Sequence, residues 1–407
     1  MNIEIISTEI VEPSPRQGVA VFAFSYYTSN QGMELSAMSQ HNSRSDTTDA
    51  TFLKRSIDNG RTWSENQPLP GHEKTAQGML RRFYFPGYVD PFTGRLVEIQ
   101  MRGILPSDNP LEGLKSWQLF YRVSEDGGQT YFVEEQIIAE GDEFNAEHPL
   151  PGIWRGKNAI QRGAISCAPL TLADGTLLFP CQVWPLDDAG EPYNPSGGFT
   201  YTDAAVLRAT WQTNNTLSWE LSQCIAADPE RSTRGMIEPT LALLNGGRLL
   251  AVMRGSNHTR PELPAYKWAS FSDDGGRTWS DPVPWTYDDG TPFFSPSACS
   301  QLMRHSSGAL LWLGNITKEN ANNNLPRYPL VGGFVDRDTG FLQCASIQKI
   351  DDRQPEDSER VELSNFFMRE DRETGDLILH LTRSFARSPK NELDWTSDAL
   401  LYRLRLT

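Results

Sequence analysis

Three copies of one octapeptide decide the fold of this 407-residue chain. They read Ser56-Ile-Asp-Asn-Gly-Arg-Thr-Trp63, Ser124-Glu-Asp-Gly-Gly-Gln-Thr-Tyr131 and Ser272-Asp-Asp-Gly-Gly-Arg-Thr-Trp279. Each copy follows a short run of residues that favour β-strands. In such a turn the Asp accepts hydrogen bonds from backbone amides, the glycine supplies a positive φ, and the Ser and Thr hydroxyls satisfy loop backbone groups. The pattern therefore predicts a β-hairpin whose closing aromatic residue folds back onto the strand face.

A second repeat, a turn glycine followed by an apolar run, marks another strand. Its six copies begin at Gly32, Gly94, Gly175, Gly247, Gly308 and Gly375. The spacings of 62, 81, 72, 61 and 67 residues leave room for about four short strands per unit. This is typical of a β-propeller, whereas a pair of β-sandwiches gives no reason for six even copies. The sequence predicts an all-β, six-bladed β-propeller.

The predicted propeller is expected to form one domain over residues 1–407, because a blade cannot bury both of its faces without its neighbours. The alternating ends of the chain, Ile3 to Val11 and Leu400 to Leu406, are expected to share the closing blade. Hydrophobic residues make up 38% of the chain and aromatic residues 10%, which is enough apolar mass for a large core and excludes global disorder.

The charge balance excludes some partners. With 37 basic and 52 acidic residues the formal net charge is −15, the opposite of what phosphate neutralisation needs, so no nucleic-acid partner is expected. No apolar run approaches the ~18 residues of a membrane span, so no membrane partner is expected. The N-terminus lacks the basic and apolar regions of a secretory signal, and five cysteines without CxxC spacing fit a reducing compartment. A cytoplasmic location is expected, or a secreted one if a leader has been removed.

No cofactor or metal is expected. The sequence contains no HxxH, HExxH or CxxC spacing for a tight metal site. It also lacks the glycine patterns of nucleotide-binding loops and the GxSxG turn of a serine hydrolase.

The octapeptide S-x-D-x-G-x-T-W resembles the Asp box, or BNR repeat, of the sialidase (neuraminidase) superfamily. The resemblance covers the whole chain as a fold and implies that the boxes lie on outer turns, away from the substrate face. Asp58, Asp126 and Asp274 are then expected to form turns and to take no part in catalysis.

The resemblance also implies site residues. Sialidases bind the substrate carboxylate with three arginines, use an Asp as acid/base and use a Tyr nucleophile assisted by a Glu. Glu238 and Arg254 match the family segment that carries the assisting Glu and one of the arginines, and Arg327 matches the last arginine. Asp46, with Asp49 as the alternative, corresponds to the acid/base Asp.

Two departures from the family pattern stand out. The first arginine of the triad is missing, because Val19–Phe24 occupies its place. The stretch Val361–Phe367, where the nucleophilic Tyr is expected, contains no tyrosine. The chain is therefore expected not to be an ordinary retaining sialidase, and the nucleophile stays open.

The inner strands of a propeller surround a central channel, and polar residues at the mouth of this channel are further candidates for a binding site. Arg162 and Arg82 are candidates to supply the missing positive charge. Tyr328 is a candidate for stacking on a sugar face. His41, near the end of a strand in blade one, suits proton transfer at neutral pH.

Three functions remain open at this stage. The first is an exo-glycosidase that hydrolyses a terminal acidic sugar, sialic acid or a uronate, from a glycan. The second is a uronate-directed lyase or a rhamnosidase-like propeller with His41 as the base. The third is a non-catalytic propeller that binds glycans. The sugar, the linkage, the retaining or inverting course and the oligomeric state are left open.

Overall fold

The computed structural model describes residues 2–390 and 392–407, so Met1 and Asn391 of the expected domain lie outside the described residues. Within that part of the chain the strands form six antiparallel sheets, and contacts between strands of neighbouring sheets close into a ring. The predicted six-bladed β-propeller is confirmed.

The blades are numbered from the first complete sheet, and their strands are given from the centre outward. Blades 1 to 3 contain Ala20–Tyr27, Leu35–Asn42, Ala50–Ser56 and Gln67–Leu69; His72–Thr75, Gly78–Tyr84, Tyr88–Val89, Leu96–Leu105, Gln118–Ser124 and Val133–Gln136; and Ile160–Gln161, Leu170–Thr171, Leu177–Val183, Asp203–Trp211 and Leu217–Leu221. Blades 4 to 6 contain Ile237–Leu243, Leu249–Arg254, Lys267–Ser272 and Val283–Pro284; Gln301–Arg304, Leu310–Asn315, Leu330–Phe334 and Gln348–Asp351; and Glu362–Glu370, Leu377–Ser384, Ala399–Leu406 and Ile3–Glu12. Short 3-10 turns occur at Pro110–Lys115, Asn245–Gly247 and Cys344–Ser346.

The six glycine repeats all precede the second long strand of a blade. These strands read as continuous apolar runs because neighbouring blades cover both of their faces. Leu249–Arg254, for example, is buried at every position except its last residue. The hydrophobic core therefore lies between the blades, as where Trp285 and Trp312 pack edge to face at 5.4 Å.

The Asp boxes begin at the last residue of a third strand, as Ser272 does in blade 4. Oδ1 of Asp274 accepts hydrogen bonds from Oγ of Ser272 (2.8 Å) and from the amide of Thr278 (3.0 Å), and Oδ2 accepts one from Oγ1 of Thr278 (2.6 Å). Burial raises the pKa of Asp274, but these hydrogen bonds outweigh it and leave the pKa below the usual range. The expected turn-forming role matches this geometry.

The boxes also connect neighbouring blades. Arg208, on the strand Asp203–Trp211 of blade 3, donates from Nη1 to the carbonyl of Gly275 in the box of blade 4. Arg55 of blade 1 makes the same contact with Gly128 in the box of blade 2. An arginine on one blade thus caps the turn of the next and helps to fix the blade-to-blade packing.

The ends of the chain close the ring. Ile3–Glu12 pairs antiparallel with Ala399–Leu406 and forms the outermost strand of blade 6. The expectation that both ends share the closing blade is confirmed.

The two faces of the propeller differ in what they carry. In blade 4, Arg254 pairs with Lys267 at one end of the sheet, and Leu249 pairs with Ser272 at the other end, where the Asp box begins. We call the face at which second strands end and third strands begin the mouth face. The Asp boxes therefore lie on the face opposite to Arg254.

Candidate functional site

Glu238 and Arg254 meet on the mouth face of blade 4. The pairing register shifts between Ile237 and Thr240, and Glu238 takes a left-handed φ of 51° in this bulge. Its amide donates to Oε1 of Gln182 in blade 3 at 2.9 Å. Nη1 of Arg254 donates to Oε2 of Glu238 at 3.0 Å, with the two side chains 12% and 16% exposed, respectively. The bulge thus aims the carboxylate at the arginine of the adjacent strand.

Arg327 lies in the loop between the second and third strands of blade 5. Its Nη1 donates to Oε2 of Glu362 at 2.6 Å and to Oγ of Ser364 at 3.1 Å. Glu362 opens the innermost strand of blade 6. It stands in the stretch where the sialidase resemblance leads one to expect a tyrosine. Arg327 is only 8% exposed, so most of its hydrogen-bonding capacity is directed at the protein.

Two residues tie Arg254 and Arg327 together. Oγ of Ser297 accepts from Nε of Arg254 at 2.8 Å, and the Ser297 carbonyl accepts from Nη2 of Arg327 at 3.2 Å. Oδ1 of Asn324 accepts from Nη2 of Arg254, and its carbonyl accepts from Nε of Arg327, both at 3.2 Å. The structure therefore brings Glu238, Arg254 and Arg327 together in one rigid cluster.

Arg234 adds a third guanidinium that the sequence analysis missed. Its Nη2 donates to Oγ1 of Thr200 at 2.8 Å, while its Nε is buried and has no hydrogen-bond partner in the described part of the chain. Burial lowers the pKa of Arg234 to about 10, and the charge of Arg254 acts in the same direction. The charges of Glu238 and Asp46 oppose this effect. We call Arg234, Arg254, Arg327 and Glu238 the arginine site.

Asp46, on the blade 1 loop, acts on the arginine site through its charge. It is exposed and has a left-handed φ of 52°. Burial lowers the pKa of Arg254, but Glu238, and to a smaller extent the charge of Asp46, raise it above the usual value. The alternative, Asp49, accepts a hydrogen bond at 2.8 Å from the amide of Ser43, which lies in the same loop. Of the two carboxylates, Asp46 is the one whose charge acts on the arginines.

Glu238 is held in its ionised form. Burial alone raises the pKa of this carboxyl, but the adjacent Arg254, together with Arg327, outweighs burial and lowers the pKa below its usual value. An ionised, largely buried carboxylate can act as a base, a nucleophile or an electrostatic stabiliser, and it is a poor proton donor at neutral pH.

Lys267 lies on the strand next to that of Arg254 and was also missed by the sequence analysis. It is fully buried, pairs in register with Arg254 and donates from Nζ to the carbonyl of Ala298. Burial lowers the pKa of Lys267 to about 7, and the charge of Arg254 lowers it as well. The charge of this lysine therefore changes near neutral pH, beside Glu238.

His41 and Tyr328 lie against other partners. Nε2 of His41 is 3.2 Å from Oε1 of Glu12, and its ring packs against Phe52 at 5.0 Å. No described residue of the arginine site is among its hydrogen-bond partners. Tyr328 follows Arg327 in the chain, but its side chain is partly buried and packs against the core between blades 5 and 6.

Arg162 and Arg82 are committed elsewhere. Arg162 is buried and donates to the carbonyls of Pro180 (2.6 Å) and Cys167 (2.8 Å), so the structure places its guanidinium within the core. Nη2 of Arg82 is 3.3 Å from Oε2 of Glu73, which lies on the strand His72–Thr75 of blade 2. Neither guanidinium is among the hydrogen-bond partners of Glu238 in the described part of the chain.

Residues 2–390 and 392–407 contain no cluster of three or more His, Cys, Asp or Glu side chains that could hold a metal ion. No helix among them is both long enough and apolar enough to cross a membrane.

Solved structures with the same architecture include several carbohydrate enzymes. A protein of unknown function from Dyadobacter fermentans aligns over 100% of both chains, with 12% identity and a TM-score of 0.60. The K499G mutant of the NanB sialidase from Streptococcus pneumoniae aligns over 99% of this chain and 70% of its own, with 11% identity and a TM-score of 0.58. The GH93 α-L-arabinofuranosidase of Fusarium graminearum, solved with arabinobiose, aligns over 98% of both chains, with 14% identity and a TM-score of 0.54. At these identities the likeness concerns the fold alone.

Sequence comparison identifies the repeat family of the chain. No curated protein matches the sequence. The model of the BNR repeat-like domain matches residues 104–340, which span blades 2 to 5 and include two of the three Asp boxes. Because this match covers more than half of its length, the chain belongs to the family of BNR repeat-like domains.

Proposed function

We propose that the chain is a single-domain glycoside hydrolase that removes a terminal sugar carrying an anionic group from a glycan. One observation carries the proposal: Nε of Arg234 is buried without a hydrogen-bond partner in the described part of the chain, and this guanidinium interacts electrostatically with Arg254 and the ionised Glu238. A buried guanidinium donor that lacks an acceptor favours an anionic ligand that supplies one.

Arg234 is the main anion-binding group in this proposal. Arg327 already donates to four protein groups and Arg254 to three, whereas Arg234 donates only to Thr200 in the described chain. Arg254 retains unused donors, and Arg327 fixes Glu362. Since the net charge is −15, long-range steering repels an anionic substrate, and the attraction must come from this local cluster.

The chemistry then follows from the carboxylates. Glu238 is ionised and acts as the base on water or as the nucleophile, and Asp46 protonates the leaving oxygen from its exposed loop. Glu362, held by Arg327, is the second fixed carboxylate and stabilises positive charge that develops on the sugar ring. The two reacting carboxyl groups are those of Glu238 and Asp46. A separation of ~6.5–9.5 Å between such groups produces inversion, and ~5–5.5 Å produces retention.

A neutral sugar is the second candidate substrate. The observation that favours it is the neutralisation of Arg254 by Glu238 and of Arg327 by Glu362, which leaves a single uncompensated arginine. The similar fold of an arabinofuranosidase solved with arabinobiose supports this alternative. The lyase hypothesis receives no comparable support, because His41 lies against Glu12 and Phe52.

A panel of aryl glycosides tests the proposal. It pairs uronic and sialic acid glycosides with neutral hexosides and pentosides, and release of the aryl group is followed. Turnover confined to acidic sugars supports the proposal, and turnover confined to neutral sugars supports the second candidate. Binding of these sugars without any turnover contradicts both and favours a non-catalytic propeller. Absorbance from an unsaturated uronide product would instead establish a lyase.

A further inference from the structure

A cavity lies on the mouth face of blade 3, and its lining includes no residue of the arginine site. Its volume is about 410 Å³, enough for one small organic molecule, and its lining includes Asp187, Asp188, Asp203, Tyr193 and Tyr201. We call it the acidic pocket. The lining residues that the structure describes include no Lys or Arg.

The extended segment 200–203 separates the acidic pocket from the arginine site. Successive side chains of an extended chain point in opposite directions. Oγ1 of Thr200 accepts from Arg234, and the amide of Thr202 donates to the Arg234 carbonyl at 3.2 Å, so one edge of the segment faces the arginine site. Tyr201 and Asp203 lie on the other side and line the acidic pocket. The two sites are thus neighbours that share a wall and have opposite charge.

Asp203 is a buried carboxylate whose hydrogen-bonding capacity is unused. It is 8% exposed, and no described residue donates a hydrogen bond to its buried Oδ1. Burial without a cationic partner raises the pKa of Asp203 to about 7. A buried carboxylate normally has a donor or a cation beside it. The unmet acceptor therefore calls for a ligand that brings a donor, and a cationic donor satisfies it best.

The aromatic walls favour an organic cation. The rings of Tyr193 and Tyr201 meet edge to face at 5.2 Å, and their π faces attract positive charge. A bare metal ion needs several converging ligands, and the described residues contain no group of three or more His, Cys, Asp or Glu side chains that could hold one. We propose that the acidic pocket binds a small organic molecule that carries a protonated primary amine, with Asp203 accepting a hydrogen bond from the ammonium group.

Glucamine and sorbitol form a matched pair of probes, because they share one skeleton and differ in an ammonium against a hydroxyl group. Titration calorimetry of the full chain at pH 8 is expected to detect millimolar binding of glucamine and at least tenfold weaker binding of sorbitol. Asp203→Asn should weaken glucamine binding at least tenfold, while Asp142→Asn, an exposed carboxylate outside the pocket, should leave it unchanged.

Tyr193→Ala provides a second variant, and thermal unfolding checks that each variant folds. Loss of glucamine affinity in this variant supports the pocket as the binding site. Equal affinities for glucamine and sorbitol overturn the proposal, as does an absence of glucamine binding at millimolar concentrations. Unchanged affinity in both Asp203→Asn and Tyr193→Ala also overturns it. Because only binding is measured, the result does not depend on whether the chain hydrolyses a glycoside.

Discussion

Arg254 donates to Glu238 at 3.0 Å from the strand next to it, and a bulge in blade 4 aims the carboxylate at the guanidinium. The pair does not neutralise the site completely, because two further arginines carry positive charge there. Arg327 also lowers the pKa of Glu238, and the charges of Arg254 and Arg327 lower the pKa of Arg234. A carboxylate surrounded by several arginines resists protonation, and the arginines leave a positive potential on the mouth face. This combination links the fold to the proposed chemistry.

The first prediction concerns the pH dependence of activity. Because Arg254 and Arg327 lower the pKa of Glu238 below its usual value, Glu238 stays ionised until the pH falls below the ordinary Glu range. We expect the acidic limb of kcat/KM to lie below pH ~4.5, and Arg254→Gln to move it upward. A limb that stays in place in the variant would show that Glu238 is not the titrating group.

The second prediction concerns the Arg327–Glu362 pair, whose side chains are largely buried. Arg327→Met leaves a carboxylate without its cation, so the free energy of unfolding should fall by about 3 kcal/mol. Arg327→Met combined with Glu362→Gln should lose less than the sum of the two single losses, because the unpaired charge is gone. Denaturant unfolding of all four proteins measures the coupling, and strictly additive losses would contradict it.

The third prediction follows from the raised pKa of Asp203. Its pKa of about 7 in the folded state exceeds the ordinary Asp value of 3.8, so the folded state binds the proton more tightly than the unfolded state. The stability that this tighter proton binding gives the folded state is fully present below pH ~4. It is lost as the pH rises towards 7, and the free energy of unfolding falls by at most about 1.4 kcal/mol per pH unit. Asp203→Asn removes the loss, so the stability of the variant relative to the wild type should increase between pH 4 and 7. Parallel unfolding curves across this range would refute the assignment.

The fourth prediction separates the Asp boxes from catalysis. Asp274→Ala removes the acceptor of the blade 4 turn and should lower the free energy of unfolding by about 1–2 kcal/mol. Because the box lies on the face opposite to Arg254, the KM of the folded variant should stay within about twofold of the wild type. A large change in KM at unchanged stability would place the box near the substrate.

The fold was predictable because its signals repeat. Each glycine run precedes a strand buried on both faces, and each octapeptide marks the end of a third strand, so the blade count could be read from spacing alone. The closing blade followed from the alternating ends of the chain, since Ile3–Glu12 needs a partner strand and finds it in Ala399–Leu406.

The site was predictable only in part. Glu238 and Arg254 lie on adjacent strands of one blade, so local matching was enough to pair them. Glu362 joins the cluster from blade 6, and its approach to Arg327 of blade 5 depends on how the blades pack. Arg162 and Arg82 were the predicted sources of the missing positive charge, whereas Arg234 lies four residues before Glu238 in the chain.

Arg162 and His41 show why chemical type alone misleads. A buried arginine that donates to backbone carbonyls has the same letter in the sequence as one that binds a ligand. His41 meets Glu12, which belongs to the outermost strand of blade 6 and contacts blade 1 only because the ring closes. Neither environment is visible before the fold is assembled.

The most direct test of the central claim compares kcat/KM for an acidic aryl glycoside with that for its neutral counterpart, in the wild type and in Arg234→Gln. The proposed anion site predicts that the variant loses at least tenfold in the acidic-to-neutral ratio. Arg248→Gln, a matched change of a partly exposed arginine at the opposite end of blade 4, should keep the ratio of the wild type. An unchanged ratio in Arg234→Gln would contradict the claim that this chain recognises an anionic sugar.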